Sequence, residues 1–342
     1  MDQYEIAHRA VGQIGGVAQG AIFVSGSDRA SWLQGLLTND IKALGPGQGC
    51  YSAWLTPQGR MITDMCVLEL GDRILLEVPA PSAGALASRL EQMVFAEDVR
   101  LENASQRLDV VRVVGPLAGE RVAAAVTTMT STRTITAAEL ARWVEYQNRV
   151  FSPAGAHVLV VRDQRLGVPG YDIYSTIGSD VRQVLEHSGV VPLSEQMAET
   201  LRIEAGRPLF GVDMDTDTIP LEAGIEDRAI SFSKGCYVGQ EVIVRVISRG
   251  HGRVVRKLVG LVLDRERVPG AGEPLVTNGR EIGRVTSAAL SPALGRPIAL
   301  GYVHRDFAEP GNRIALGGDA GDRATVTRLP FVTFAPEHTT GR

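Results

Sequence analysis

The sequence predicts an α+β protein with a separate all-β domain at its C-terminal end. Three observations carry that expectation. The chain has 342 residues, room for two or three domains with apolar cores of their own. Up to about residue 250, strand-like and helix-like segments mix in an order that suits an α+β module better than a doubly wound parallel sheet. Beyond residue 250 only strand patterns remain.

AIFVSGSDRASWLQGLLTNDI reads as a strand ending near Val24, then a helix capped by Ser27 with Leu33, Leu36 and Leu37 on its buried face. CYSAWL and RMITDMCVLEL are strands around the turn Thr56-Pro57-Gln58-Gly59, where proline suits the second position and glycine the last; Gly71-Asp72 leads into RILLEV. Residues 81–97 read as helix, VRLEN and RLDVVRVV as strands. WVEYQ, HVLVVRD and YDIYS follow as short strands, then a helix through DVRQVLEHSG. A better-marked helix is capped by Ser194, runs from Glu195 to Ala205 and stops at Gly206 and Pro208. In the β-region, RKLVGLVLD, EPLVTNGREIGRVTSAALS, IALGYVHRD, NRIALGG and ATVTRLPFV supply strands, and Asn278-Gly279 signals a type I′ hairpin. The division is thus 1–250 and 251–342, the latter a small barrel or sandwich ending in a frayed PEHTTGR tail.

Composition excludes several classes. With 44% hydrophobic and 22% charged residues and a mean hydropathy of +0.03, the chain is neither disordered nor a membrane bundle. A net charge of −4 offers no polybasic field, so nucleic acid and anionic membranes are not expected partners. MDQYEIAHRA lacks the pattern of a secretory signal, which points to the cytosol. The three cysteines, Cys50, Cys66 and Cys236, are scattered, as in a reducing compartment. Six histidines lie at no metal-ligand spacing, no C-x-x-C pair occurs, and three scattered thiols cannot hold a four-thiolate cluster, so no metal site is expected. Phosphate-binding glycine motifs are absent as well.

Cys50 and Cys66 sit in strands and read as small buried hydrophobes. Cys236, in SFSKGCYVGQEVIVRV, is harder. If a helix starts there, its N-terminal N–H groups and Lys234 would favour the thiolate, with Cys236, Gly239, Gln240 and Ile243 on one face. EVIVRVI alternates acceptably for a strand too, so propensity leaves the assignment open. Asp64, after the LTPQGR turn, and Asp172, in GVPGYDIYS, are either surface acids or buried acids with a bidentate partner. Arg202, Arg207 and Arg228 are candidates for holding an anionic tail.

LTPQGRMITD, RIEAGRPLFGVDM, PLEAGIEDRAISFSKGCYVGQEV and GRVTSAALSPALGRPIALGYV together resemble the YgfZ family of folate-binding proteins, relatives of the aminomethyltransferase (T-protein) of the glycine cleavage system. The most specific part is K-G-C-Y-x-G-Q-E: Lys234, Gly235, Cys236, Tyr237, Gly239, Gln240 and Glu241. The resemblance implies three domains in a ring around a channel for tetrahydrofolate or a one-carbon derivative, the first two interleaved α+β subdomains, with the C-terminal β-barrel closing the ring. It implies a protein that supports assembly or repair of iron–sulfur clusters in client enzymes, Cys236 being the functional thiol and the partners being folate and iron–sulfur clients or assembly factors. It also implies that Asp172 recognises the pterin, with Asp64 at the cofactor, where Arg228 is placed by the residue reading above. Aminomethyltransferases carry paired acids after the glycine turn; here the pair reads Thr63-Asp64, and a missing acid or base group costs ~10²- to 10⁴-fold in rate.

The alternative expectation is a folate-dependent one-carbon transferase or demethylase in which Asp64 handles the proton and Cys236 is structural. A third is a folate-binding module acting by protein contact alone. A monomer is expected, since no heptad pattern asks for a partner.

Overall fold

The computed structural model describes all residues except 16–18, 131–134, 152–157, 249–252, 318–321 and 335–342. Two sheets lie face to face, each backed by helices. The first is antiparallel, in the spatial order Gly49–Leu55, Met61–Glu69, Ile74–Pro79, Gln19–Ser25, Arg100–Asn103. The second runs Val191–Pro192, Gly12–Ile14, Leu108–Val114, Gly170–Thr176, Val158–Asp163, Asn148–Phe151, with its first pair parallel. The chain therefore enters through the second sheet, builds the first, and returns.

Strand alternation decides where each side chain goes. Ile22, Val24, Met65 and Val67 of the first sheet face the helices Arg29–Leu36 and Ala83–Glu91. Their neighbours Ala21, Cys66 and Leu68 face the other way, meeting Val110, Leu159, Val161 and Tyr174 of the second sheet. The second sheet's outer face is covered by Ala118–Thr130 and Val181–His187. A third apolar set, from Met214 to Val254, closes one side of the intersheet core. Among the described residues no helix is long and apolar enough to cross a membrane.

Six antiparallel strands between Arg256 and Thr327 form a closed barrel. Closure leaves no exposed strand edge there. Helix Glu195–Glu204 is fastened to it through Arg202, which reaches Asp213 at 2.7 Å and Ser287 at 2.8 Å.

The helix capped by Ser194 and both predicted turns form as expected. Ser194 accepts from Met197 N, Gly59 N donates to Thr56 O at 2.9 Å, and Asn278 and Gly279 have φ of 50° and 74°, as a type I′ turn needs. Ser27 is not a cap: its N–H and hydroxyl bond to Asp98, and the helix starts after Asp28. WVEYQ is not a strand. Trp143 and Tyr146 are buried as in one, but Gln147 N donates to Val144 O and Tyr146 has φ of 67°, so the chain turns there. Residues 81–97 hold a helix only over Ala83–Glu91. Helices Gln3–Arg9 and Ala118–Thr130 were not anticipated; the second buries Ala118, Val122, Ala125 and Val126 at helical spacing. The PEHTTGR tail lies outside the described residues.

Candidate functional site

The Pro-Gly hairpin sets the site. Its register pairs Ala53 with Asp64 and Trp54 with Thr63. Ala53 faces the intersheet core and Trp54 the helix layer, so Asp64 points between the sheets and Thr63 away from that space. The Tyr51 hydroxyl donates to Asp64 Oδ2 at 2.6 Å. Arg228 lies 5.0 Å from the Tyr51 ring centroid and has no ion pair among the described residues. Asp64 keeps a little solvent contact while being densely enclosed. Burial raises its carboxyl above the usual range, opposed by the Tyr51 hydrogen bond and by Arg165 and Arg228.

Arg165 ties the two sheets together behind this pair. Its guanidinium meets Glu77 of the first sheet at 2.6 Å and Asp163 of the second at 2.6 Å, with Asp172 at 3.6 Å and Cys66 Sγ at 3.7 Å. Tyr174 donates to the other Glu77 oxygen. Arg112 holds both Asp172 oxygens at 2.8 Å and reaches Asp163 at 3.0 Å. Burial raises Asp172; Asp163 resists the same burial because Arg165 and Arg112 hold it below the ordinary range.

This corrects the expectation for Asp172, whose bidentate face is taken by Arg112 rather than left for a pterin. Arg202 is likewise unavailable, being buried and committed to Glu199, Asp213 and Ser287. Arg207 faces Glu145 at 3.6 Å. Of the sequence-predicted cofactor residues, Asp64 and Arg228 come together around Tyr51. The sequence reading missed Tyr51, Arg165 and Glu77. Counting back from the PQG turn brings Tyr51 close to Asp64, so the first was recoverable; Arg165 to Glu77 joins two sheets and left no local sign.

The KGCYVGQE segment is mostly architecture. The Lys234 ammonium donates to the carbonyls of Gln34, Leu37 and Asn39 at 2.7, 2.6 and 2.8 Å, so its hydrogens are spent. Burial draws it down to about 8, opposed by Asp40 and Cys50. Tyr237 is buried with Lys234 Nζ 5.2 Å from its ring. Gly239 has φ of 86° and a Cβ there would stand 2.5 Å from Thr56 O, so only glycine lets this turn rest on the hairpin. The helix starts at Gln240, four positions after Cys236, which corrects the idea of a thiol at a helix N-terminus sharing a face with Gly239, Gln240 and Ile243. EVIVRVI is helical despite its β-branched residues, with Ile243 buried and Glu241 paired to Arg245. Gly235 has open space around it, and Cys236 is exposed.

A cavity of about 230 Å³ opens at the other end of the intersheet core, walled by Leu75, Leu108, Leu159 and Tyr174 with Arg73 and Arg107 at its rim. Among the described residues no group of His, Cys, Asp and Glu is arranged to hold a metal ion.

Fold and site together define an α+β protein of two facing sheets and a closed barrel, built around a buried carboxylate. Family models then place it. The GCVT N-terminal domain matches residues 2–234 and the glycine cleavage T-protein C-terminal barrel domain matches 256–333. The chain belongs to the glycine cleavage T-protein family, a tetrahydrofolate-using family. It is 30% identical over 323 residues to the aminomethyltransferase of Streptomyces avermitilis, covering 91% of this chain and 84% of that protein. The aminomethyltransferase of Saccharopolyspora erythraea is 32% identical over 324 residues, with the same shares. That of Bacillus subtilis is 28% identical over 316 residues, covering 90% and 84%. The crystal structure of the glycine cleavage system aminomethyltransferase T from Bartonella henselae superposes with a TM-score of 0.83 at 24% identity, covering 97% of this chain and 89% of that one, which shows the shared fold.

Proposed function

We propose that the chain binds a reduced folate at the Tyr51–Asp64 pair and serves as a folate-dependent one-carbon transferase, with Asp64 handling the proton. The observation that carries this is the Tyr51–Asp64 pair: a carboxyl raised by burial, oriented by a 2.6 Å hydrogen bond and facing the intersheet space. A carboxyl raised by burial is a stronger base, once ionised, than an ordinary carboxylate. The relatives named aminomethyltransferases support the reaction class. The acid absent at position 63 weighs little against it, because that position faces Trp54 and the helix layer.

The residues present fit such a ligand. Its pterin end would meet the Asp64 carboxyl, which Tyr51 orients and beside which Arg228 stands. Bound tetrahydrofolate supplies the amine that accepts the one-carbon unit. Asp64 holds the proton, Tyr51 fixes the carboxyl, and Arg228 stands over Tyr51 as an unpaired cation. The test is calorimetry with tetrahydrofolate together with a transfer assay from an aminomethyl donor. Folate binding kept and transfer lost in Asp64→Asn supports the reading; transfer intact in that variant ends it.

A second reading is favoured by one observation. Cys236 is exposed on a loop pinned on both sides, by Lys234 and by Val238 N on Gly35 O. That suits the YgfZ-type role, a cytosolic monomer supporting iron–sulfur clusters in client enzymes. Cells in which Cys236→Ala sustains a radical-type iron–sulfur enzyme as well as the wild type does would remove it.

A further inference from the structure

A cleft of about 510 Å³ lies away from Asp64, between the barrel wall and the loop 212–218. Both signs of charge line it: Arg256, Arg284 and Glu281 on the barrel, Asp215 and Asp217 on the loop, with Arg256 itself paired to Glu222 at 3.0 Å. On the barrel, Arg284 is the cross-strand partner of Tyr302 and Arg256 that of His304. Val285 and Val303, one residue out of phase, fill the barrel core, so these four side chains stand on the outer wall. Arg284 is exposed and has no hydrogen bond or ion pair among the described residues. Tyr302 is 5% exposed, its ring 4.7 Å from the Arg256 guanidinium and its hydroxyl beside Thr218. Opposite stand Asp215, whose Oδ1 is bonded to Thr218, and Asp217, whose Oδ1 is taken by Arg60. The second oxygen of each has no hydrogen bond among the described residues.

We infer that this cleft binds a small α-amino acid as its zwitterion, carboxylate on Arg284 and ammonium against Asp215 and Asp217. The charge pattern supplies the selectivity. A plain carboxylate meets the two aspartates and a plain amine meets Arg284, since Arg256 is already paired with Glu222, so either half-ligand gains one contact and suffers one repulsion. Only a molecule with both charges a few bonds apart satisfies both walls. The loop is also coupled to the Asp64 strand, since Met61 N donates to Thr218 O at 2.9 Å and Arg60 pairs with Asp217. The inference is independent of folate binding.

The test is calorimetry on the full chain with glycine, alanine and serine as probes, and with acetate and methylamine as half-ligands. The expected result is saturable binding of the amino acids, about tenfold weaker for either half-ligand, and about tenfold weaker in Arg284→Gln, the size of one charge-assisted hydrogen bond. Arg284 is exposed, so that variant folds as the wild type does. No binding of any of the three amino acids at millimolar concentration overturns the inference. So does acetate binding as tightly as alanine, or an Arg284→Gln variant that binds unchanged.

Discussion

The Tyr51 hydroxyl donates to Asp64 Oδ2 across 2.6 Å, from one arm of a hairpin to the other, on the face that looks toward the second sheet. Burial raises the Asp64 carboxyl, and Tyr51 is the largest influence opposing the rise. Tyr51→Phe is therefore expected to move the Asp64 titration, followed by side-chain carboxyl NMR, to higher pH still. An unmoved or lower midpoint would mean that the hydrogen bond does not favour the ionised form.

The same shift has a sign in stability. Between the ordinary carboxylate value and the raised one, the folded chain binds more protons than the unfolded chain, so stability falls as pH rises through that window. Asp64→Asn removes the penalty. Its Tm is expected above the wild type's at neutral pH, with the difference vanishing below the ordinary carboxylate range; a lower Tm at neutral pH contradicts this.

Arg165 carries a different weight, because it neutralises carboxylates on both sheets at once. Arg165→Met leaves Glu77 and Asp163 buried without it, and breaking such a pair costs about 3–5 kcal/mol. Glu77→Gln is milder. In a double-mutant cycle by urea denaturation, the two are expected to couple by about 0.5–3 kcal/mol. Strict additivity would show that the bridge contributes nothing of its own.

These contrasts mark what could be read from the chain. Turn chemistry at Thr56–Gly59 and Asn278–Gly279, the Ser194 cap and the all-strand C-terminal region rest on local physics, and each forms as written. Segments with two local solutions were ambiguous. EVIVRVI has a strand's residues, yet a glycine turn locked against Thr56 launches it as a helix with a single buried side chain. Asp172 failed as a ligand contact for a reason no local pattern holds: Arg112, sixty residues earlier, is its cross-strand partner. The site was legible at Asp64, which lies one turn from a hairpin signal, and illegible at Arg165.

The three thiols should separate by reactivity. Burial pushes Cys50 up to about 12 and Cys66 well above its ordinary value, while Cys236 is exposed. Iodoacetamide on the native protein is expected to label Cys236 alone by mass spectrometry, and all three after denaturation. Labelling of Cys66 under native conditions would mean that the intersheet core opens.

Lys234 decides how firmly the exposed thiol is held. Its ammonium satisfies three carbonyls at and beyond the end of helix Arg29–Leu36, and nearby bonds run from Asn39 Nδ2 to Arg228 O and from Thr38 Oγ1 to Ala229 O. One docking contact therefore serves both the Cys236 loop and the backbone that places Arg228 over Tyr51. Lys234→Met keeps the length of the stem but strands the carbonyls, at a cost of about 1.5–3 kcal/mol for bonds to a charged donor. If the motif acts as a buckle, alkylation of Cys236 is expected to become faster in this variant as the loop loosens. If Lys234 instead activated the thiol as a neighbouring cation, its removal would slow alkylation, and the direction of that single rate change separates the two roles.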